Sequence, residues 1–268
     1  MKYRVLIFIC LLAVLKLAKG QDIGDPMLFI QWKKVVLNNE AEFKAGKINW
    51  GAGFLIKYKN DTIACTAREF TGTIHSQGKM LYIKDFPEEM KYWNMYVSDD
   101  PSQYVEMDTL FNREKIERRY SLIIYSAPYL TFSLKKKNKN LIPLEPDIRK
   151  IPNKDTLFVV GFDNDHNLRI VQGVVETALN EKYVELDIRM KTDTYLYSSG
   201  FVGAPIVDKN AKVVGIVNRA YDLYKTPKGK IINNAKKVDG AHYEYFINGT
   251  TMRTVLGRKY EQQSIDSH

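Results

Sequence analysis

Short runs of apolar, β-branched and aromatic residues recur through most of the chain, each closed by Gly, Asn, Asp or Pro. In the N-terminal half such runs occupy residues 27–37, 53–58, 62–66, 80–83, 92–97 and 121–125. A second series occupies 156–162, 169–177, 183–188, 205–207, 212–217 and 243–248. Asn60-Asp61 and Asp208-Lys209-Asn210 stand between neighbouring runs and carry hairpin-turn chemistry. Many short strands with turns at fairly regular spacing predict a barrel or sandwich, because alternating βα units would need longer helical periods between strands. Helical signal is confined to the end, where Thr250 or Thr251 can cap a short helix that runs through Leu256 and stops at Gly257.

Between the two series lies a polar, proline-bearing stretch, 135–153, with Pro143, Pro146 and Pro152. It predicts the connection between two halves. Residues 224–239 are polar and basic and predict a loop with a short strand. Residues 258–268 form a polar tail expected to be disordered. The organisation read from this pattern is a leader over 1–20, one half over 21–134, a linker over 135–153, and a second half with its helix over 154–257.

The leader follows from residues 1–20. Lys2 and Arg4 precede an apolar run at 5–15, and Ala18 and Gly20 place small residues where a signal peptidase cuts, before Gln21. Eleven apolar residues are short against the roughly 20 that cross a bilayer as a helix. The reading is therefore a secreted or periplasmic protein with no membrane insertion after cleavage. Cleavage removes four basic residues and no acidic ones, which lowers the net charge from +9 to +5. Charge of both signs is spread along the chain, without the clustered basic face of a nucleic-acid binder. The run Lys135-Lys136-Lys137-Asn138-Lys139 reads as solvated linker.

Cys10 leaves with the leader and Cys65 remains alone, so packing rather than disulfides must hold the fold. Cys65 lies in the apolar run Ile63-Ala64-Cys65-Thr66 and reads as a buried small hydrophobe. The four histidines and this cysteine make no metal-ligand pattern. His166 sits in a turn, and Asp163-Asn164-Asp165 lacks the Gly and distal Glu of a calcium loop. No metal or other cofactor is expected. Asn60-Asp61-Thr62 and Asn248-Gly249-Thr250 match the glycosylation acceptor pattern.

Three segments resemble the trypsin-like (chymotrypsin-fold) serine peptidases, in order. Gly51-Ala52-Gly53-Phe54, then Cys65-Thr66-Ala67-Arg68-Glu69, is similar to the first-barrel hairpin that ends in the family's histidine. Arg119-Tyr120-Ser121-Leu122-Ile123-Ile124 is similar to the strand opened by its aspartate. Gly200-Phe201-Val202-Gly203-Ala204-Pro205, followed by Val213-Val214-Gly215-Ile216-Val217, is similar to the nucleophile turn and its return strand. The resemblance implies an all-β fold of two six-stranded antiparallel β-barrels with a short C-terminal helix.

It also implies that the triad is gone. Glu69 stands for the histidine, Ser121 for the aspartate and Val202 for the serine. Acyl transfer by this route needs an attacking hydroxyl, a base near neutral pKa and an anion that orients it. Valine carries no nucleophilic atom, and a glutamate, with an ordinary pKa of about 4.3, is a weak base toward an alcohol. The backbone N–H groups of Gly200 and Val202 would remain as an oxyanion-hole-like pair, although the glycines also serve the turn itself. Phe201 replaces a residue that is Asp in the animal enzymes, so pairing with a new N-terminus is excluded. The resemblance places Leu196 and Tyr197 near a possible apolar pocket. Tyr195, Tyr221 and Tyr224 are candidates for a peptide groove or ordinary strand formers. The reading is a non-catalytic pseudo-peptidase that binds an unidentified peptide or protein. The alternatives are a serine-type endopeptidase with a rearranged site, using Ser198 or Ser199 with His75, and an unrelated secreted β-protein.

Overall fold

The structure is a computed structural model that describes residues 30–69, 86–112, 118–120, 123–125, 128–163, 165–178, 185–192, 200–225, 231–233 and 242–256. The first strands are β1 (Val36–Phe43), β2 (Gly46–Ile48), β3 (Ala52–Tyr58) and β4 (Asp61–Ala67). The β3–β4 hairpin turns at Asn60-Asp61 as expected, with Lys59 taking a φ of 54° and Asp61 opposite Tyr58. The short helix α1 (Phe86–Glu89) leads into β5 (Met90–Val97) and β6 (Asp100–Leu110). Beyond them lie β7 (Arg118–Tyr120), β8 (Ile123–Tyr125) and β9 (Tyr129–Lys136).

Strands β1, β3, β4, β9, β6 and β5 pair in that order, and β5 pairs back onto β1, which closes a six-stranded antiparallel barrel. Strand β2 adds to β1 outside the ring. Two expectations are corrected here. The run at 27–37 is not one strand, because Trp32–Lys34 forms a 3-10 turn and pairing starts at Val36. Nor does the described part of the run at 121–125 join the barrel: among the described residues Ile123–Tyr125 pairs with Arg118–Tyr120 in a separate hairpin. The strand that completes the barrel is β9, where alternating residues turn Leu130 and Phe132 inward.

The second barrel uses β10 (Thr156–Phe162), β11 (Leu168–Ala178), β12 (Glu185–Met190), β13 (Pro205–Val207), β14 (Val213–Lys225), β15 (Ile231–Asn233) and β16 (His242–Thr251). The order β13, β10, β11, β12, β16, β14 closes through the β13–β14 pairing, again with six strands, while β15 adds to the far end of β14. Strand β14 runs to Lys225, well past the expected end at Val217. A short helix α2 (252–256) follows. Thr251 caps it, its hydroxyl oxygen accepting the Thr254 N–H at 3.3 Å.

The first core centres on an aromatic group, with Trp93 against Phe132 at 5.1 Å and Phe43 against Phe86 at 5.4 Å between ring centroids. Tilted and edge contacts of this kind add about 0.5–1.5 kcal/mol each beyond the area buried. Cys65 is fully buried, and loss of water pushes its thiol far above the ordinary range. Leu157, Val159, Leu186, Ile188, Ile206, Val217 and Ile247 are buried in the second barrel.

The segment after β9 is laced to both barrels. Leu144 lies parallel to Ile56, donating its N–H to Leu55 (2.8 Å) and accepting from Lys57 (2.9 Å). Three residues on, Asp147 donates to Val213 (2.8 Å), and the Val213 N–H donates to Glu145 (2.9 Å). Arg149, paired within the strap to Asp147 (2.9 Å), then ties it to the second barrel through Asp155 (3.2 Å) and Asp208 (3.8 Å).

Candidate functional site

The site grows from the ends of four strands. In the first barrel, the Thr66 hydroxyl donates to the Ala52 carbonyl at 2.7 Å, across the end of the β3–β4 ladder. That hydroxyl also accepts from Asn39 Nδ2 (3.2 Å), and Asn39 Oδ1 accepts from Trp93 Nε1 (2.9 Å). Asn39 and Thr66 are fully buried, so this chain of bonds satisfies groups that water cannot reach. It holds the Ala52 peptide in place.

The N–H of that same Ala52 donates to the Val202 carbonyl at 2.7 Å. Val202 therefore meets the first barrel through its backbone, and its side chain joins the first barrel's apolar cluster. It is only 8% exposed. Residues 201–204 form a β-turn in which Ala204 donates to the Phe201 carbonyl (3.1 Å) and Gly203 takes a φ of 82°. Position three of such a turn favours glycine. Gly200 is required for a different reason: a Cβ there would stand 2.5 Å from the Phe162 carbonyl oxygen. Both glycines are thus explained by geometry alone. Their N–H groups divide: Gly203 donates to Val217 (2.8 Å), whereas those of Gly200 and Val202 have no partner among the described residues. Phe201 is fully buried beside Gly161, so an apolar ring fills the position that the resemblance assigns to a carboxylate.

Glu69 follows β4 at the exposed lip of the first barrel. Protein around its carboxyl displaces enough water to raise its pKa, and the charge of Arg219 on β14 opposes that rise. Strand β14, which carries Arg219, touches β4, the strand that leads to Glu69. Ser121 lies outside the described residues, as do His75, Tyr195, Leu196, Tyr197, Ser198 and Ser199. Strand pairing gives the place beside β4 to another segment. Ala67 lies opposite Tyr129, and Arg68 donates to the Pro128 carbonyl at 2.9 Å. Tyr129 is buried, with its hydroxyl 3.4 Å from the Thr254 carbonyl. The segment paired with Ala67 and Arg68, Pro128 and Tyr129, therefore brings neither a carboxylate nor an imidazole. Sequence reading missed Tyr129 because the run at 121–125 has the same apolar signature as β9.

The second barrel contributes a bulge. Arg219 pairs with Asn248 and Val217 with Gly249, which leaves Asn218 as an extra residue in β14. Its side chain bonds Thr250 Oγ1 (3.0 Å) and Asn248 Oδ1 (3.3 Å). Asn248 Nδ2 donates onward to Asp187 Oδ1 (3.2 Å), which also accepts from the Tyr221 hydroxyl (3.2 Å). Tyr221 stacks on Phe246 at 5.5 Å, and the Arg219 guanidinium stands 5.7 Å from the Tyr221 ring. Arg219 and Ala220 pair with β16 on one side, and no described strand covers the other. The acceptor pattern at Asn248 is buried in this network, whereas that at Asn60 stands on an exposed turn. Among the described residues no group of His, Cys, Asp and Glu could hold a metal ion.

No protein-family model matches the chain, and no curated protein does. Solved structures do. A Ser→Ala variant of the HtrA-type protease AlgW, with a decapeptide, is 13% identical and superposes with a TM-score of 0.50 over 88% of this chain and 64% of its own. A serine endoprotease from Yersinia pestis gives 15% identity and a TM-score of 0.47, over 86% of this chain and 62% of that one. The inactive form of Rv3671c from M. tuberculosis gives 13% and 0.47, over 85% and 86%. The fold is the trypsin-like double barrel. At these identities the likeness speaks for the fold alone, and the chain spans about two thirds of the AlgW chain's length. Among the described residues no helix is long and apolar enough to cross a membrane.

Proposed function

We propose that this protein is an exported, non-catalytic member of the trypsin-like fold that binds a peptide or protein segment between its barrels. One observation carries the reading: Val202, at the position that the resemblance assigns to the nucleophile, is buried in the first barrel's apolar cluster. The surroundings agree. Glu69 has a raised pKa and so is a carboxyl partly deprived of water, not a neutral-range imidazole. The strand beside it brings Pro128 and Tyr129 rather than an aspartate. A glutamate without a hydroxyl to deprotonate has no acyl-transfer step to perform.

Peptide binding is supported by the edge of β14. An extended segment adds to a strand edge through main-chain hydrogen bonds and is read by pockets for alternate side chains. The stretch at Arg219 and Ala220 offers such an edge, and Arg219 is also the electrostatic partner of Glu69. The test joins two measurements on the purified protein. Fluorophosphonate labelling and turnover of denatured casein should both be absent, while extended peptides should protect β14 amides from hydrogen exchange. Labelling of any serine together with casein turnover overturns the non-catalytic reading and would point to Ser198 or Ser199.

A further inference from the structure

Two stretches of the chain carry the same acceptor pattern, and the fold treats them in opposite ways. Asn60-Asp61-Thr62 turns the β3–β4 hairpin. Lys59 and Asn60 form its two-residue loop, with Lys59 at a φ of 54° and Tyr58 opposite Asp61. Asn60 is exposed, and its amide has no hydrogen-bond partner among the described residues. Asp61 Oδ1 accepts from the Thr62 N–H (2.7 Å) and from Lys137 Nζ (2.6 Å), so the middle residue engages the side chain of neither neighbour. The Thr62 hydroxyl likewise has no partner among the described residues.

Asn248-Gly249-Thr250 lies within β16, where Asn248 stands between Asp187 on β12 and Arg219 on β14. Asn248 is 4% exposed and Thr250 2%. The Asn248 Nδ2 donates to Asp187 Oδ1 (3.2 Å), its Oδ1 accepts from Asn218 (3.3 Å), and Asn218 also donates to the Thr250 hydroxyl (3.0 Å). A sugar on that nitrogen would strand these buried groups, each at its full desolvation cost, and would put a bulky polar group where the barrel closes. Chain order adds to this. Strands β10 to β14 precede β16, so the segments that bury Asn248 are already made when it is.

We propose that Asn60 is an acceptor for an N-linked glycan and that Asn248, with the same pattern, is not. This rests on the export reading above, because the modification belongs to secreted chains. The co-reactant is an oligosaccharide carried on a lipid pyrophosphate. The Asn60 amide nitrogen bonds to the anomeric carbon as the C–O bond to the pyrophosphate breaks. The pyrophosphate keeps that electron pair, and the amide gives up one proton to a base of the transferase. Ala52, whose N–H meets Val202, and Tyr58 stand at the two ends of β3, about 20 Å apart at roughly 3.4 Å per residue. The glycan therefore stands at the opposite end of the hairpin from the Val202 turn.

The full chain, with its own leader, expressed in a eukaryotic secretory cell line tests this. Protein from the medium should lose one glycan's worth of mass on treatment with peptide N-glycosidase, and peptide mapping should place that glycan on Asn60 with Asn248 unmodified. Asn60→Gln and Thr62→Ala should each abolish the shift, whereas Thr62→Ser should keep it. Secreted protein without a glycan, or with one on Asn248, overturns the assignment and leaves the export reading standing. If the chain stays in the cell with its leader uncut, the export reading falls. Residues 21–268 behind a proven leader then decide Asn60 by the same readouts.

Discussion

Each barrel hides one chain of polar side chains, and the two chains end differently. In the first barrel Trp93, Asn39 and Thr66 run inward and stop on the Ala52 backbone, all neutral and all buried. In the second, Asn218, Thr250 and Asn248 run outward and stop on the half-buried carboxylate of Asp187. Buried neutral networks hold geometry, because every member left unpaired costs its full desolvation. A network that surfaces at a charge can also meet something from outside. The first barrel thus fixes the position of the Val202 turn, and the second carries its network out to a half-buried carboxylate.

The sharpest way to break this contrast is to cut the inner chain. Asn39→Ala would strand Trp93 Nε1 and remove a donor to Thr66, at a cost of about 2–4 kcal/mol in urea unfolding. A loss below roughly 0.5 kcal/mol would show that the inner network holds nothing. Next in size is Val202→Ser. It puts a hydroxyl into an apolar cluster and should cost about 1–3 kcal/mol, without yielding fluorophosphonate labelling. Labelling of that serine would show that a base survives nearby.

Cys65 gives a pH-dependent test of the first core. Its thiol pKa is raised in the folded state, so the unfolded chain holds fewer protons once the pH exceeds about 8.5. Stability should fall as the pH climbs above that value, and Cys65→Ala should flatten the decline. Native protein should resist iodoacetamide at pH 8 and react only when unfolded.

The smallest effect is expected at Glu69. Its carboxyl is raised in the folded state, so its ionisation works against folding above the ordinary carboxylate range. Glu69→Gln should be slightly more stable than wild type at pH 7, and the difference should vanish below about pH 4. A variant that is less stable at pH 7 would mean that the Arg219 attraction outweighs the loss of water.

The hairpins at Asn60 and Asp208, the buried Cys65 and the Thr251 cap were legible because turn and cap chemistry is local. So was the turn around Val202, whose two glycines and proline answer to backbone geometry within a few residues. What was not legible depended on distant pairing. Ile123–Tyr125 and Tyr129–Lys136 are both apolar, and only their partners across the sheet decide which one enters the barrel. The Asn218 bulge is likewise invisible until β16 supplies the register. Asp187 passed unnoticed for the same reason: its two donors are 34 and 61 residues away.

The strap through Leu144 and Asp147 has one more effect. With parallel bonds to β3 on one side and β14 on the other, it works like a rigid jig: neither half can swing without tearing main-chain bonds from its neighbour. On the peptide-binding proposal, the ordering entropy of binding would then fall on the bound segment, because the two halves are already held.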